Sequence, residues 1–203
     1  MRGISDTVTQ AQSITADWRF YLLFLLITLV MFPLHESAHF LAYRLLGVQL
    51  HMTLNTASPV DQHQRRPVAE IAGPVLNLVL ATVAAVLLHI STNYRRLWAA
   101  IALSASLMRL AIYLLIVIAA LATGSGLAIG NDEPIAAHMW HLNSLTFVAL
   151  FSVPFILIVW TVSRHLAGRP RTRAAHIAGL TGTMFCVGIL IGNVIDPRLF
   201  PRH

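Results

Sequence analysis

The sequence contains no lysine, few charged residues and a single cysteine. Only 11% of its 203 residues are charged, and all 14 basic residues are arginine. Cys186 cannot form an internal disulfide, and its apolar surroundings indicate a small core residue. By contrast, 57% of the residues are hydrophobic and the mean hydropathy is +0.71. These values exclude an ordinary soluble domain and indicate a chain whose solvent is mostly lipid.

The arginines lie mostly between apolar runs and give the chain a net charge of +6. Nucleic-acid binding would need basic residues gathered on one face, so we expect no nucleic-acid partner. Arginines in short loops are typical of surfaces that face anionic lipid headgroups. The first apolar run begins near Phe20 and leads directly into a polar motif, so we expect it to be retained and not cleaved as a signal peptide.

Five segments have the length and composition of membrane-spanning helices, which need roughly 20 mostly apolar residues. They cover residues 18–46, 68–89, 97–122, 142–162 and 174–195. Tryptophans, which prefer the headgroup level, stand at or near the ends of these segments: Trp18, Trp98, Trp140 and Trp160. The sequence therefore predicts an all-α integral membrane protein with one polytopic domain over residues 1–203, placed in the cell membrane.

Two segments between the spans are not expected to be membrane helices. Residues 47–67 are polar, and residues 48–55 alternate apolar and polar side chains, which predicts a short strand or membrane-associated β-hairpin after the first span. Residues 123–131 are glycine-rich and cannot continue a helix cheaply. A new helix is expected after them, with Asn131 or Asp132 as its cap and Pro134 in its first turn.

Because successive loops between five spans lie on alternate sides of the membrane, the depth of a residue can be inferred from its position in the sequence. We call the side on which the first span begins side A and the opposite side B. His35 lies about 25 Å along the first span, in the half of the membrane nearer side B. Residues 73–77, Asp132 and Asp196 also follow side-B ends of spans. These polar features are therefore expected to converge at one depth.

The motif His35-Glu36-Ser37-Ala38-His39 carries the chemistry. Imidazoles at positions i and i+4 share one helix face, so both can reach a single cation. A neighbouring glutamate is the usual general base in this pattern, and zinc suits neutral imidazoles combined with an oxygen ligand. Inside a membrane each of these polar groups costs free energy unless it is compensated. Metal ligation is therefore favoured over a buried polar cluster or a proton path.

Residues 31–82 resemble the site-2 proteases, a family of intramembrane zinc metalloproteases. The resemblance rests on the His-Glu-Ser-Ala-His motif, the following Phe-Leu-Ala-Tyr-Arg-Leu-Leu-Gly-Val, and Ala-Gly-Pro-Val-Leu-Asn at 72–77. It implies His35 and His39 as zinc ligands, Glu36 as general base, and Asn77 as a polar group near the substrate or the catalytic glutamate. The ordinary alternative for Asn77 is an amide that ties two helices together.

The third ligand does not follow from the motif. The family normally supplies it from an Asp-Gly pair in a later helix, and this sequence has no such pair. Five acidic residues remain on side B: Asp61, Glu70, Asp132, Glu133 and Asp196. We expect Asp132, because irregular backbone at membrane depth is tolerated only where it is buried in protein or lines a cavity. Glu133 and Asp196 are the next candidates, and a surface helix cap is the alternative role of Asp132.

Three further polar residues lie close to these elements. His138 and His141 could also approach a metal, although an interfacial or supporting role is more ordinary. Arg109 stands near the middle of the third span among apolar neighbours. An arginine at that depth needs a partner, for which one of the named carboxylates is expected. The pair could be structural, or the cation could steady a peptide oxyanion.

The expected function is zinc-dependent hydrolysis of peptide bonds in or near the transmembrane segments of a protein or peptide substrate, within the lipid bilayer. The strand expected at 48–55 could pair with an unwound substrate. Two alternatives stay open: a transporter or proton relay that uses His35, Glu36 and His39, and a zinc-binding protein without catalysis. The arginine count favours side A in the cytoplasm, whereas the family resemblance suggests the reverse.

Overall fold

The computed structural model describes residues 13–123 and 131–200. Its helices and strands are, in chain order, α1 (Trp18–Leu45), β1 (Leu50–Met52), β2 (Ala57–Pro59), α2 (Pro67–Glu70), α3 (Ala72–Ile90), α4 (Arg95–Thr123), α5 (Asp132–Met139), α6 (Ser144–Ser163), α7 (Pro170–Leu190) and α8 (Asp196–Leu199). A 3-10 turn covers Gln62–Gln64, and a π-helical turn over Ile191–Ile195 joins α7 to α8.

Within the described residues, five helices are long and apolar enough to cross a membrane, as the sequence predicts. They are α1, α3, α4, α6 and the continuous stretch Pro170–Leu199. Their ends differ from the predicted ones by at most four residues. At the side-B end of the second span, the chain forms the separate short helix α2 and breaks at Ile71 before α3 begins. The all-α, five-span fold class is confirmed.

The membrane helices pack around α4, which is the most buried of the five spans. Both α4 and the neighbouring helix α3 have buried alanines. They are at positions 81, 84 and 85 in α3 and at 99, 100, 102 and 105 in α4. Small side chains let two helix backbones approach closely, which is how helices associate where no water is present to drive burial. Large apolar side chains are instead exposed on the outer faces, where lipid would cover them.

The predicted strand is confirmed in a shorter form. β1 and β2 pair antiparallel, with Leu50 opposite Pro59 and Met52 opposite Ala57. The turn between them is held from the far end of the chain, because Asp196 accepts hydrogen bonds from Thr53 Oγ1 at 2.7 Å and Leu54 N at 2.9 Å. The hairpin is therefore tied to the side-B end of the last span.

Removing that tie should loosen the hairpin without unfolding the helices. Hydrogen bonds to a charged group contribute about 1.5–3 kcal/mol each, so Asp196→Ala should lower the protection of the Leu54 amide against hydrogen exchange by roughly 10- to 100-fold. Exchange mass spectrometry on the detergent-purified protein measures this. Asp61→Ala removes another loop carboxylate, which caps only the 3-10 turn, and should leave Leu54 unchanged. Equal exchange in both variants would contradict the tie.

The chain before α1 is held on side A. Ile14 forms a parallel bridge with Leu166, and Asp17 caps α1 by accepting from Phe20 N at 3.0 Å. This backbone hydrogen bond and the nearby Arg96, 3.0 Å away, lower the pKa of Asp17 below its ordinary value. On side B, Asn131 stands at the N-cap of α5 with Pro134 in the first turn, as predicted. The rest of the glycine-rich segment, residues 124–130, lies outside the described residues.

Candidate metal centre

α1 brings the three residues of the motif into the protein interior. His35, Glu36 and His39 are 2%, 8% and 3% exposed, so all three face neighbouring helices and not lipid. One helical turn separates the two imidazoles, whose ring centroids lie 4.8 Å apart at an interplanar angle of 77°. Their Nε2 atoms are 3.2 Å from each other. The two imidazoles therefore share one helix face, as expected, and their Nε2 atoms come close to each other.

The carbonyl of Ala69 fixes His39. Nδ1 of His39 lies 2.7 Å from Ala69 O. A carbonyl only accepts, so Nδ1 must carry the hydrogen, and the neutral ring then presents the lone pair of Nε2. Ala69 belongs to α2, a single turn, and the last carbonyls of a helix can accept from groups outside it. The break at Ile71 thus supplies an orienting bond of the kind that metal-ligating histidines normally make.

Asp132 completes a three-atom group with the imidazoles. Its Oδ2 atom lies 3.2 Å from His35 Nε2 and 3.4 Å from His39 Nε2. Tetrahedral zinc with bonds of 2.0–2.1 Å places neighbouring ligand atoms about 3.3–3.4 Å apart, which the three observed separations approach within about 0.2 Å. Among the described residues, His35, His39 and Asp132 form a group that could hold a metal ion.

Arg109 supports the Asp132 carboxylate. Nη1 of Arg109 lies 3.4 Å from Asp132 Oδ2 and 3.4 Å from His35 Nε2. Burial opposes ionisation of Asp132, but hydrogen bonds from His35 and His39, together with the charge of Arg109, hold its pKa well below the ordinary value. The carboxylate is thus kept in the charged form that a metal requires.

The expected partner of Arg109 is found on the same short helix as the candidate ligand. Its other terminal nitrogen donates to Glu133, which also accepts from the Tyr113 hydroxyl. Arg109 and Glu133 are 1% and 0% exposed, so the pair is completely enclosed. A buried charge of this kind is tolerated only with such a partner. The structure therefore shows the ion pair that the sequence suggested, and it ties α5 to α4.

The remaining acidic candidates are engaged elsewhere. Asp61 accepts from His63 N, and Asp196 holds the hairpin. Glu70 accepts from the Tyr43 hydroxyl and lies near Arg65; burial raises its pKa, while these two neighbours oppose the rise. Of the five side-B acids, Asp132 alone reaches both imidazoles. His138 and His141 are exposed and do not join the group.

A cavity of about 330 Å³ opens beside the group. His35, Glu36 and Asp132 line it from the helices, and residues 55–58 line it from the hairpin. The backbone amide of Ala57 faces the Glu36 carboxylate. Glu36 is consequently next to the metal-competent atoms and next to space that a water molecule and a substrate can enter.

α3 contributes two of the expected residues in different ways. Gly73 lies directly against both imidazoles: a Cβ atom there would stand 2.5 Å from His35 Nε2. Asn77 is fully buried one turn further along, where its Nδ2 donates to Met108 Sδ at 3.5 Å and its Oδ1 has no hydrogen-bond partner within the described parts of the chain. The closeness of Gly73 is established, whereas a catalytic role for Asn77 stays a prediction.

Sequence reasoning missed three contributors. The Ala69 carbonyl is a backbone group, so the type of residue at this position does not indicate its role. Tyr113 stands one helical turn after Arg109, and this spacing could have suggested that both reach one carboxylate. The clamp between Asp196 and the hairpin joins residues more than 140 positions apart, which a single sequence cannot indicate.

Comparisons with known proteins identify no relative. No family model, curated protein or solved structure matches the chain. The likeness to site-2 proteases is therefore one of short motifs, and the geometry of the described residues is what indicates a function.

Proposed function

We propose that the protein is an intramembrane zinc metalloprotease that hydrolyses peptide bonds in or near transmembrane segments of other proteins. The observation that carries the proposal is the triangle of His35 Nε2, His39 Nε2 and Asp132 Oδ2, with sides of 3.2, 3.2 and 3.4 Å. Glu36 stands beside it in the same cavity. A metal group, an adjacent carboxylate and room for a substrate are the parts that metal-assisted hydrolysis needs.

The donor set supports zinc. Two imidazole nitrogens and one carboxylate oxygen suit zinc, whereas magnesium and calcium prefer oxygen ligands. His35, His39 and Asp132 would hold the ion, with the lone pair of His39 directed by the Ala69 carbonyl. When bound, zinc would supply Lewis-acid activation of water and of the scissile carbonyl.

Glu36 performs the proton transfers in this proposal. As the oxygen of water attacks the carbonyl carbon, the Glu36 carboxylate takes one proton from that water. It then delivers the proton to the amide nitrogen as the carbon–nitrogen bond breaks, which leaves a carboxylic acid and an amine; the acid then passes its proton to the amine, so that the products are a carboxylate and an ammonium group. Because Glu36 is 8% exposed and lines the cavity, bulk water competes little for this role.

A lateral route supports a membrane-embedded substrate. A second cavity, of about 400 Å³, lies between α4 and α7 and shares Phe32, Met108 and Ile112 with the cavity at the metal group. Leu115 and Ile189, which also line it, are exposed on the outer surface. A segment arriving from lipid could reach the site along this route, and β2 offers an edge with which locally unwound backbone could pair.

Metal analysis combined with a cleavage assay tests the proposal. Purified wild-type protein, reconstituted with zinc and washed, should retain stoichiometric zinc and cut members of a transmembrane-peptide pool. A His35→Ala/His39→Ala double variant should do neither. The matched control, His138→Ala/His141→Ala, removes two exposed imidazoles and should behave as wild type. Wild-type protein that retains no zinc after exposure to excess would overturn the proposal.

A further inference from the structure

A second group of histidines and arginines lies at the opposite side of the membrane from the metal group. Its members stand at the side-A ends of α3, α4, α6 and α7 and are called here the side-A basic cluster: His89, Arg95, Arg164, His165 and Arg173. Nη2 of Arg95 lies 3.0 Å from His165 Nδ1, and His165 Nε2 lies 3.2 Å from His89 Nε2. The ends of three spans therefore meet at one polar contact, and the charge of Arg173 on α7 lies near it.

The hydrogen-bond directions in this cluster show that both imidazoles are neutral. Arg95 can only donate, so His165 Nδ1 accepts from it and the hydrogen of this ring is on Nε2. His165 Nε2 therefore donates to His89 Nε2, and His89 Nδ1 donates to Ala85 O at 2.7 Å. Arg95 is consequently bound to a neutral partner, and its positive charge is not compensated by that contact.

Carboxylates do not balance the cluster within residues 13–123 and 131–200. Asp17, the acid on side A of that part of the chain, pairs with Arg96 and caps α1. The Nε atoms of Arg95 and Arg173 are buried and have no hydrogen-bond partner there. Burial lowers the pKa of His165, and the charges of Arg95, Arg164 and Arg173 lower it further. The side-A basic cluster thus combines positive charge with N–H donors that have no partner among the described residues.

The depth of the cluster identifies the kind of ligand. Arg164 stacks on Trp160 at 5.1 Å from the ring centroid, and Trp160 is 56% exposed at the end of its span. Tryptophan in such a position marks the headgroup level. The anions available at that level are lipid phosphates, whose oxygens match the paired donors of guanidinium groups.

We propose that the side-A basic cluster is a binding site for the phosphate headgroup of an anionic phospholipid, held by Arg95, Arg164 and Arg173. The lipid would supply the negative charge that the described residues lack there and would join the ends of α4, α6 and α7. The site lies at the opposite end of the bundle from the metal group and does not depend on the proposed protease activity.

Lipid titration of the whole chain in detergent tests the site. Short-chain phosphatidylglycerol is the probe, native mass spectrometry counts the bound molecules, and short-chain phosphatidylcholine and inorganic phosphate are run in parallel. Each arginine near an anionic headgroup contributes about fivefold in affinity, so Arg95→Gln/Arg173→Gln should weaken phosphatidylglycerol binding about 25-fold. The control, Arg44→Gln/Arg198→Gln, removes two exposed side-B arginines and should change it less than threefold.

Three results would overturn the proposal. Equal binding of phosphatidylcholine and phosphatidylglycerol would show that the negative headgroup is not recognised. Inorganic phosphate that binds as tightly as phosphatidylglycerol would assign the cluster to a soluble anion. An equal loss in the control pair would show that only net charge matters. If the double variant does not fold, Arg164→Gln replaces it, because that guanidinium is exposed, and a loss of about fivefold is expected.

Discussion

A Glu36→Gln variant should keep its zinc and lose peptide cleavage by about 10²- to 10⁴-fold, the usual contribution of a positioned general base. Glutamine has nearly the same shape and still accepts a hydrogen bond from the Ala57 amide that faces this side chain. It cannot take a proton from water at neutral pH. The three candidate ligands are unchanged, so the metal affinity should remain within a few fold of the wild-type value.

The measurement pairs zinc content with the rate of appearance of peptide products from one reconstituted sample. Glu70→Gln is the matched control, because Glu70 lines the same cavity but is bound to Tyr43. It should retain cleavage within about tenfold. Cleavage by Glu36→Gln at more than a tenth of the wild-type rate would rule out Glu36 as the base. Proton transport by wild type without any proteolytic product would instead favour the relay.

Composition and motif spacing were sufficient to predict the five spans and the pair of imidazoles. The spans follow from run length, because an uninterrupted apolar segment in lipid has few structures other than a helix available to it. The pairing of His35 with His39 follows from the helical repeat, which requires only local geometry. A strand or hairpin after the first span was also predicted from the alternation at 48–55, although the residues of the second strand, β2, were not.

The third member of the metal group could not be chosen from sequence, because the choice depends on how one short helix is rotated. Asp132 and Glu133 are adjacent, and consecutive residues on a helix point about 100° apart. Only one can therefore face the imidazoles. The structure places Glu133 against Arg109, and this buried pair leaves Asp132 directed at His35 and His39. The contact between α4 and α5 thus sets the rotation of the short helix. Such a contact between distant residues cannot be read from a local sequence pattern.

The break between α2 and α3 is a feature of the backbone that could not be predicted from sequence either. The apolar run from residue 68 predicted an uninterrupted second span, and the structure interrupts it at Ile71. The interruption is what makes the Ala69 carbonyl available to His39. Hydropathy, which is averaged over a window, does not distinguish a continuous helix from one with such a break.

A Gly73→Ala variant should lose zinc affinity by about 100-fold or more, because the added methyl group would occupy the space of the ligands. Its Cβ atom would stand 2.5 Å from His35 Nε2 and would also collide with His39 Nε2. His39 is fixed by the Ala69 carbonyl, whereas Nδ1 of His35 has no hydrogen-bond partner in the described chain. His35 should therefore be displaced, which breaks its 3.2 Å approach to Asp132. Changes that only disturb the support of a metal ligand already cost 10- to 100-fold.

Competition with a chromophoric zinc chelator measures the affinity, and cleavage should fall in parallel. Gly182→Ala makes the same substitution in α7, where an added Cβ meets no atom within 4 Å. Because alanine favours helix more than glycine does, both variants should remain folded, and the control should bind zinc as wild type does. If Gly73→Ala bound zinc within threefold of wild type, α3 could not lie against the imidazoles at this distance. The triangle of ligand atoms from which the enzymatic proposal follows would then have to be abandoned.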